Sequence, residues 1–291
     1  MNIKITKDLG KEIILDYQNG KKIKDIATEN RLNHESVRRF LKRNNVPIFK
    51  GTVPYNIEIK NDLRQLLIGS LLGDGCFCSV GGRTKNMCLS IAHSEKQKEY
   101  IKYKWNILNK YNLVSPIVEY HINNKRYLRE LVGYSFKTKL HPIFTDIRNK
   151  YYDSHGHKRV FKEFVKDIDA LGLAIWYMDD GYVTKNSCIL STCSFTLEEQ
   201  SLLADILLGK FGLHFTVGKN DNSMYLQAKD FSKFVELIKD YVIPSMQYKL
   251  ITYSKRRVLN KQGELLEHPL TEDNQQPSTP LTKCEGSETN S

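Results

Sequence analysis

Between residues 11 and 46 the apolar positions fall into three groups at helical spacing: Ile13, Ile14 and Tyr17, then Ile23, Ile26 and Ala27, then Val37, Phe40 and Leu41. Asn19-Gly20 and residues 30–33 break them. Asn33 is a suitable N-cap for the third helix, with Glu35 and Ser36 in its first turn. A small all-α unit over 1–50 is predicted, closed by Val46-Pro47, with a linker over 48–60. From residue 61 the pattern changes. Residues 67–72 and 173–178 are apolar or small almost throughout, as in helices buried on every side. Period-2 segments follow each run. Residues 76–80 with 87–92, and 182–185 with 188–192, read as hairpins turning at Gly81-Gly82 and Asn186; residues 118–122 with 129–136, and 214–219 with 224–228, read as second strand pairs.

The chain repeats itself. At an offset of 100, Ser94 matches Ser194, Glu99 matches Glu199, and Lys110, Tyr111 and Leu113 match Lys210, Phe211 and Leu213. At an offset of 91, Tyr134 matches Tyr225, Ile147 matches Ile238 and Lys158 matches Lys249. The change of offset is a difference in loop length. Each half therefore reads as an αββαββα unit, giving an α+β chain with pseudo-two-fold duplication over 60–165 and 166–258. Four antiparallel strands per half form a saddle whose free face can meet a duplex.

Both buried runs end in acid and glycine, Gly73-Asp74-Gly75 and Asp179-Asp180-Gly181. Gly69 and Gly73 share a helical face where a second backbone can approach, and Ala174 can do the same in the other copy. Gly75 and Gly181 are placed for left-handed helix ends. A carboxylate in a last helical turn faces the negative end of the dipole, which costs ~0.3–1 kcal/mol unless a positive charge stands nearby. Two such helices packed together would bring Asp74 and Asp180 to the foot of one seam, where a divalent cation supplies that charge.

On these residues the chain resembles the LAGLIDADG homing endonucleases over residues 60–255. Leu72 and Met178 stand where the motif has its sixth-position acid, and the eighth-position acid is present in both copies. The resemblance implies a hydrolase cutting double-stranded DNA, with Mg²⁺, or Mn²⁺ in its place, held by Asp74 and Asp180. Gly73 and Asp179 are further candidates for the metal site. Asp179, turned about 100° from Asp180, is expected behind the ligands or in solvent. Lys158 and Lys249 resemble the family's basic residues near each scissile phosphate, where they orient water or steady developing charge. With both motifs in one polypeptide, a monomer and a long non-palindromic target are expected.

The N-terminal unit resembles a helix-turn-helix of the resolvase and invertase type, whose second motif helix enters the major groove. Its third helix carries Arg38, Arg39, Lys42 and Arg43. The alternative is a three-helix packing unit with a solvated basic face. Charge favours DNA contact: the net charge is +11, and residues 1–50 hold 12 Lys/Arg against 6 Asp/Glu. In the core, Arg83, Lys85, Lys125, Arg126, Arg129, Lys137, Lys139, Lys185, Lys219 and Lys229 are the candidates for phosphate and base contact.

A content of 40% hydrophobic and 26% charged residues is that of a soluble globular chain. No apolar run approaches the ~20 residues of a membrane span, and the N-terminus has no apolar signal segment. The expected location is intracellular: cytoplasmic and nucleoid-associated, or an organelle matrix for an organelle-encoded gene, and not secreted. Six cysteines without a Cys-x-x-Cys pair read as reduced thiols. His93, His141, His155 and His157 read as surface or strand polar residues, and Glu95, whose counterpart is Phe195, is a weak site candidate. Residues 259–291 read as a disordered tail, net acidic with 6 Asp/Glu against 2 Lys/Arg over 260–291. Two other functions compete: an intron RNA maturase using the same saddle, and a DNA-binding regulator that does not cleave. Both acids and both lysines are retained, which favours the enzyme over the regulator.

Overall fold

The computed structural model describes residues 5–18, 21–46, 48, 57–79, 86–124, 129–218 and 223–255. Asn19-Gly20, Gly81-Gly82, most of the expected linker and the tail over 259–291 lie outside them.

The first three helices, α1 (Lys7–Gln18), α2 (Ile23–Glu29) and α3 (His34–Arg43), fall where the apolar groups placed them. Ile13, Tyr17, Ile23, Ile26, Ala27, Val37, Leu41 and Val46 make their common core, with Ile14 and Phe40 partly buried against it. The Asn33 side chain accepts the Glu35 N–H at 2.8 Å, a cap worth ~1 kcal/mol over alanine. Arg38, Arg39, Lys42 and Arg43 are all exposed on α3.

The rest of the described chain is built twice. In the first half, α4 (Asn61–Leu72) leads into β1 (Cys76–Cys78), β2 (Cys88–Ser94), α5 (Lys98–Asn109), β3 (Val118–Asn124), β4 (Arg129–Lys137), α6 (Pro142–Tyr151) and a short α7 (Lys162–Val165). In the second, α8 (Ala170–Asp180) leads into β5 (Gly181–Val183), β6 (Cys188–Ser191), α9 (Leu197–Phe211), β7 (Phe215–Val217), β8 (Ser223–Leu226) and α10 (Phe231–Ile238), followed by 3-10 turns at Lys239–Tyr241 and Pro244–Leu250. The sheets have the same antiparallel order, β1-β2-β4-β3 and β5-β6-β8-β7, as the internal repeat requires. α9 begins with a capping box, the Thr196 hydroxyl accepting the Glu199 N–H at 3.3 Å while the Glu199 carboxylate accepts the Thr196 N–H at 3.0 Å.

α4 and α8 pack side by side as the seam between the halves. Residues 173–178 of α8 are completely buried, because both halves cover the helix and leave it no solvent face. At such positions a Leu→Ala change costs ~2–5 kcal/mol. The close approach is real, and a glycine on each helix permits it. A Cβ on Gly69 would lie 2.6 Å from the Gly172 carbonyl oxygen and 2.7 Å from Ile175 Cβ, so Gly172 supplies the small surface on α8. Polar bonds fasten the opposite end of the seam from the acids: Gln65 donates to the Asp167 carbonyl at 2.9 Å and accepts the Asp169 N–H at 2.8 Å.

Gly75 and Gly181 are not left-handed, contrary to expectation. Among described glycines only Gly156 and Gly212 have positive φ, and Gly181 is extended at φ −90°, ψ 149°. They are small because the chain turns straight from each helix into a strand: a Cβ on Gly75 would meet the Ser70 carbonyl oxygen at 2.8 Å, and one on Gly181 would overlap the Tyr177 ring.

Candidate active site

The seam ends in acid. Asp74 lies two residues beyond α4, and Asp180 is the last residue of α8. Burial, followed by the charge of Asp179, pushes the Asp74 carboxyl up to about 6 against the opposing pull of Lys104, Lys158 and Lys249. Burial, followed by Asp74 and Asp179, holds Asp180 well above the usual carboxylate range. Two carboxyls raised by crowding and desolvation mark a site short of positive charge, and their hard oxygens suit Mg²⁺ or a similar divalent ion.

Part of the expected compensation is already built in. Lys158 Nζ donates to the Gly73 carbonyl and Lys249 Nζ to the Met178 carbonyl, each at 2.6 Å. An ammonium thus sits at the C-terminal end of each motif helix, on carbonyls that lack an intrahelical partner. The charge that the sequence assigned to a metal alone is shared with these lysines. Burial lowers both, Lys249 to about 8. The Tyr177 hydroxyl donates to the Lys249 carbonyl at 2.6 Å and so ties that lysine's backbone to α8. The Gly73 carbonyl, offered to the metal by the sequence reading, is engaged by Lys158.

Asp179 is not in solvent. Its side chain is fully buried, with both oxygens bonded by Lys104 Nζ at 2.6 and 2.8 Å. His93 is no surface residue either. It is buried on β2, with Nδ1 3.6 Å from Asp74 Oδ2 and Nε2 3.9 Å from Asp179 Oδ1, and its ring centroid lies 4.8 Å from that of Tyr100. Burial holds the imidazole down at about 3, so it is neutral at physiological pH. Asp74, His93 and Asp179 present ligand atoms all within 4.8 Å of one another. In this group Asp179 already has both oxygens bonded by Lys104 Nζ.

Lys104 escaped the sequence reading and His93 was read only as a surface or strand polar residue, though both left a signal. Lys104 interrupts the apolar stripe of Tyr100, Ile101, Ile107 and Leu108 on α5. His93 has the strand parity of Leu89 and Ile91, the buried face of β2; the expected strand stopped one residue short of it. His141 is also buried, and its ring nitrogen accepts the Ile143 N–H at 3.2 Å as the N-cap of α6. His155, His157 and Glu95 are exposed.

Residues 64–234 match the family described as the LAGLIDADG DNA endonuclease family. The chain belongs to this family. Among curated relatives, it is 32% identical over 202 residues to a protein named probable intron-encoded endonuclease 1 of Wickerhamomyces canadensis, covering 64% of this chain and 83% of that one. It is 28% identical to the cytochrome b mRNA maturase bI2 of Debaryomyces hansenii, covering 69% and 78%. Among solved structures, the homing endonuclease I-WcaI bound to its DNA recognition sequence aligns with TM-score 0.60 and 27% identity over 68% of this chain and 89% of that one.

On the LAGLIDADG core the basic candidates separate. Lys137 ends β4 and is exposed; it sits opposite Ser90, on the face of the first sheet that carries Ala92, Ser94 and Ser135. Lys185 is exposed in the turn between β5 and β6. Lys139 is half-buried beyond β4 and donates to Asn112 Oδ1 at 3.0 Å. Lys229 lies past β8, in a 3-10 turn at Ala228–Asp230, and is exposed. Arg83, Lys85, Lys125, Arg126, Lys219 and the Arg129 side chain fall outside the described residues.

Proposed function

We propose that this chain is a site-specific double-stranded DNA endonuclease of the homing type, hydrolysing one phosphodiester on each strand with a divalent metal, Mg²⁺ in the cell. The observation that carries the reading is the pair of raised carboxyls, Asp74 and Asp180, at the foot of a two-helix seam, each with a buried lysine on the adjacent helix-end carbonyl. Family membership and likeness to a homing endonuclease bound to its recognition sequence support it.

Asp74 and Asp180 would hold the metal, which when bound supplies charge neutralisation at the phosphate and an acidified water. The chain's own part is positional. The close helix packing fixes the two carboxylates relative to each other, so that two cuts are made from one rigid seam. Lys158 and Lys249 hold positive charge at the helix ends, where it stabilises negative charge developing on a phosphate brought to the acids. The two antiparallel sheets would lie along the duplex, with Lys137 and Lys185 as phosphate contacts. Exposed Arg38, Arg39, Lys42 and Arg43 on α3 would add a separate helix-turn-helix contact. Because the halves differ in sequence, the target would be non-palindromic and the enzyme a monomer.

A second reading, RNA maturase action on its own intron, is favoured by the likeness to the Debaryomyces maturase; it uses the same basic surface and is compatible with cleavage. The test is selection of cut molecules from a randomised duplex library with Mg²⁺, with EDTA as control. Recovery of one long sequence cut on both strands only with metal is expected. No selected cut, with retained binding to a structured intron RNA, would move the assignment to the maturase.

A further inference from the structure

The buried cluster behind Asp74 joins Asp179 of the second half to Lys104 and His93 of the first. Asp179 Oδ2 accepts the Asp74 N–H at 3.2 Å, Lys104 Nζ clamps both oxygens of Asp179, and His93 lies against both acids. The repeat has no second copy of this arrangement. At the offset of 100, Lys104 corresponds to Ala204 and His93 to Cys193, while Tyr100 and Ile107 correspond to the equally buried Gln200 and Leu207. At the motif offset of 106, Asp179 corresponds to Gly73. The asymmetry is required by space: a Cβ on Gly73 would lie 2.5 Å from both Cβ and Oδ2 of Asp179. Only one helix can carry a side chain at this crossing, and the half that receives the acid supplies the lysine.

A buried ion pair adds little net stability over apolar packing, because the desolvation of both charges offsets their attraction. Its geometric effect is larger. Lys104 gives the Asp179 carboxylate a partner in the core, and Asp179 then accepts the backbone N–H of Asp74, whose carboxylate would hold the metal. We propose that Lys104, acting through Asp179, is a positioning residue for Asp74, and that the two strand cuts depend on it unequally. The inference rests on the endonuclease reading above. Lys104 bonds Asp179 and neither of the two carboxylates proposed for the metal, so its loss changes the aim of Asp74, whose N–H Asp179 accepts, and reaches Asp180 only through the neighbouring charge of Asp179.

The test uses the full-length protein and the duplex recovered from the library selection, with each strand labelled separately. Lys104→Met alone leaves a buried carboxylate without its partner and is not expected to fold well. The informative variant is Lys104→Met with Asp179→Ala, which removes both charges and the acceptor for the Asp74 N–H. Expected are a melting temperature within a few degrees of wild type and unchanged gel-shift affinity in Ca²⁺. One strand should be cut at least tenfold more slowly relative to the other than in wild type, so that nicked duplex accumulates. Titration with Mn²⁺ followed by electron paramagnetic resonance, on free protein and on complex, should show weakened binding of part of the metal. If the folded double variant cuts both strands in the wild-type ratio, or slows them equally with Mn²⁺ binding intact, the positioning role is overturned. A wild-type protein that binds Mn²⁺ yet yields no cut duplex overturns the endonuclease reading itself, and the strand inference with it.

Discussion

Gly73 and Asp179 occupy the same crossing of the two seam helices, so that one of them must lack a side chain: a Cβ on Gly73 would stand 2.5 Å from the Asp179 carboxylate. The Gly73→Ala change therefore has to push α4 away from α8 or drive Asp179 off Lys104. Overpacking of this kind costs ~1–3 kcal/mol. A lowered midpoint in urea with an unchanged slope, together with slower cutting, is the expected outcome. Gly209, where nothing lies within 4 Å of a built Cβ, is the control, and Gly209→Ala should be neutral or slightly stabilising.

Asp74→Asn and Asp180→Asn should each lower double-strand cleavage by at least ~10²-fold, while affinity in Ca²⁺ is kept or tightened, because a carboxylate repels phosphate when no metal intervenes. Rate measurements on single-turnover complexes decide this.

The stability of the metal-free protein should report the raised Asp74 carboxyl. With a folded pKa of about 6 against an unfolded value near 3.8, the folded state binds the extra proton between those limits, so this group costs stability as pH rises through about 6. Asp74→Asn removes that cost. Its unfolding free energy should exceed wild type at pH 7 by on the order of 1–3 kcal/mol, read as a higher melting temperature, and the gap should close as pH falls toward 4. Saturating Mg²⁺ at pH 7 should stabilise wild type but not the variant. A gap that widens on acidification would refute the assignment of a raised carboxyl.

Deleting residues 1–50 should weaken DNA binding and reduce its dependence on salt, since four exposed cations of α3 go with them. Metal-dependent cutting should persist, because Asp74, Asp180, Lys158 and Lys249 all lie beyond residue 60. Equal affinity and equal salt slope after truncation would show that these helices do not touch DNA.

Light scattering at micromolar concentration should give the mass of one chain, alone and with duplex. A dimer cutting a perfect palindrome would contradict the single-chain seam.

Much of this protein was determined by its sequence alone. The three N-terminal helices, both αββαββα halves and the pairing of Asp74 with Asp180 follow from local patterns: 3.6- and 2-residue periodicity, an Asn cap, and a repeat whose offsets align Lys158 with Lys249. Such signals are local or compare the chain with itself, and need no knowledge of which elements touch. Tertiary structure decided everything that depends on a neighbour across the seam. Lys104 is legible as a lysine in an apolar stripe, but nothing along the chain says that its partner is Asp179, 75 residues away, or that Asp179 is inside at all. Gly75 and Gly181 looked like left-handed helix ends because glycine serves both turns and tight spaces, and only the surrounding atoms tell the two apart. Lys158 and Lys249 were visible as a matched pair, yet their place on the Gly73 and Met178 carbonyls depends on where two helix ends meet after folding. Burial raises the Asp74 and Asp180 carboxyls and lowers Lys158 and Lys249, and burial is a property of the packed molecule rather than of the chain.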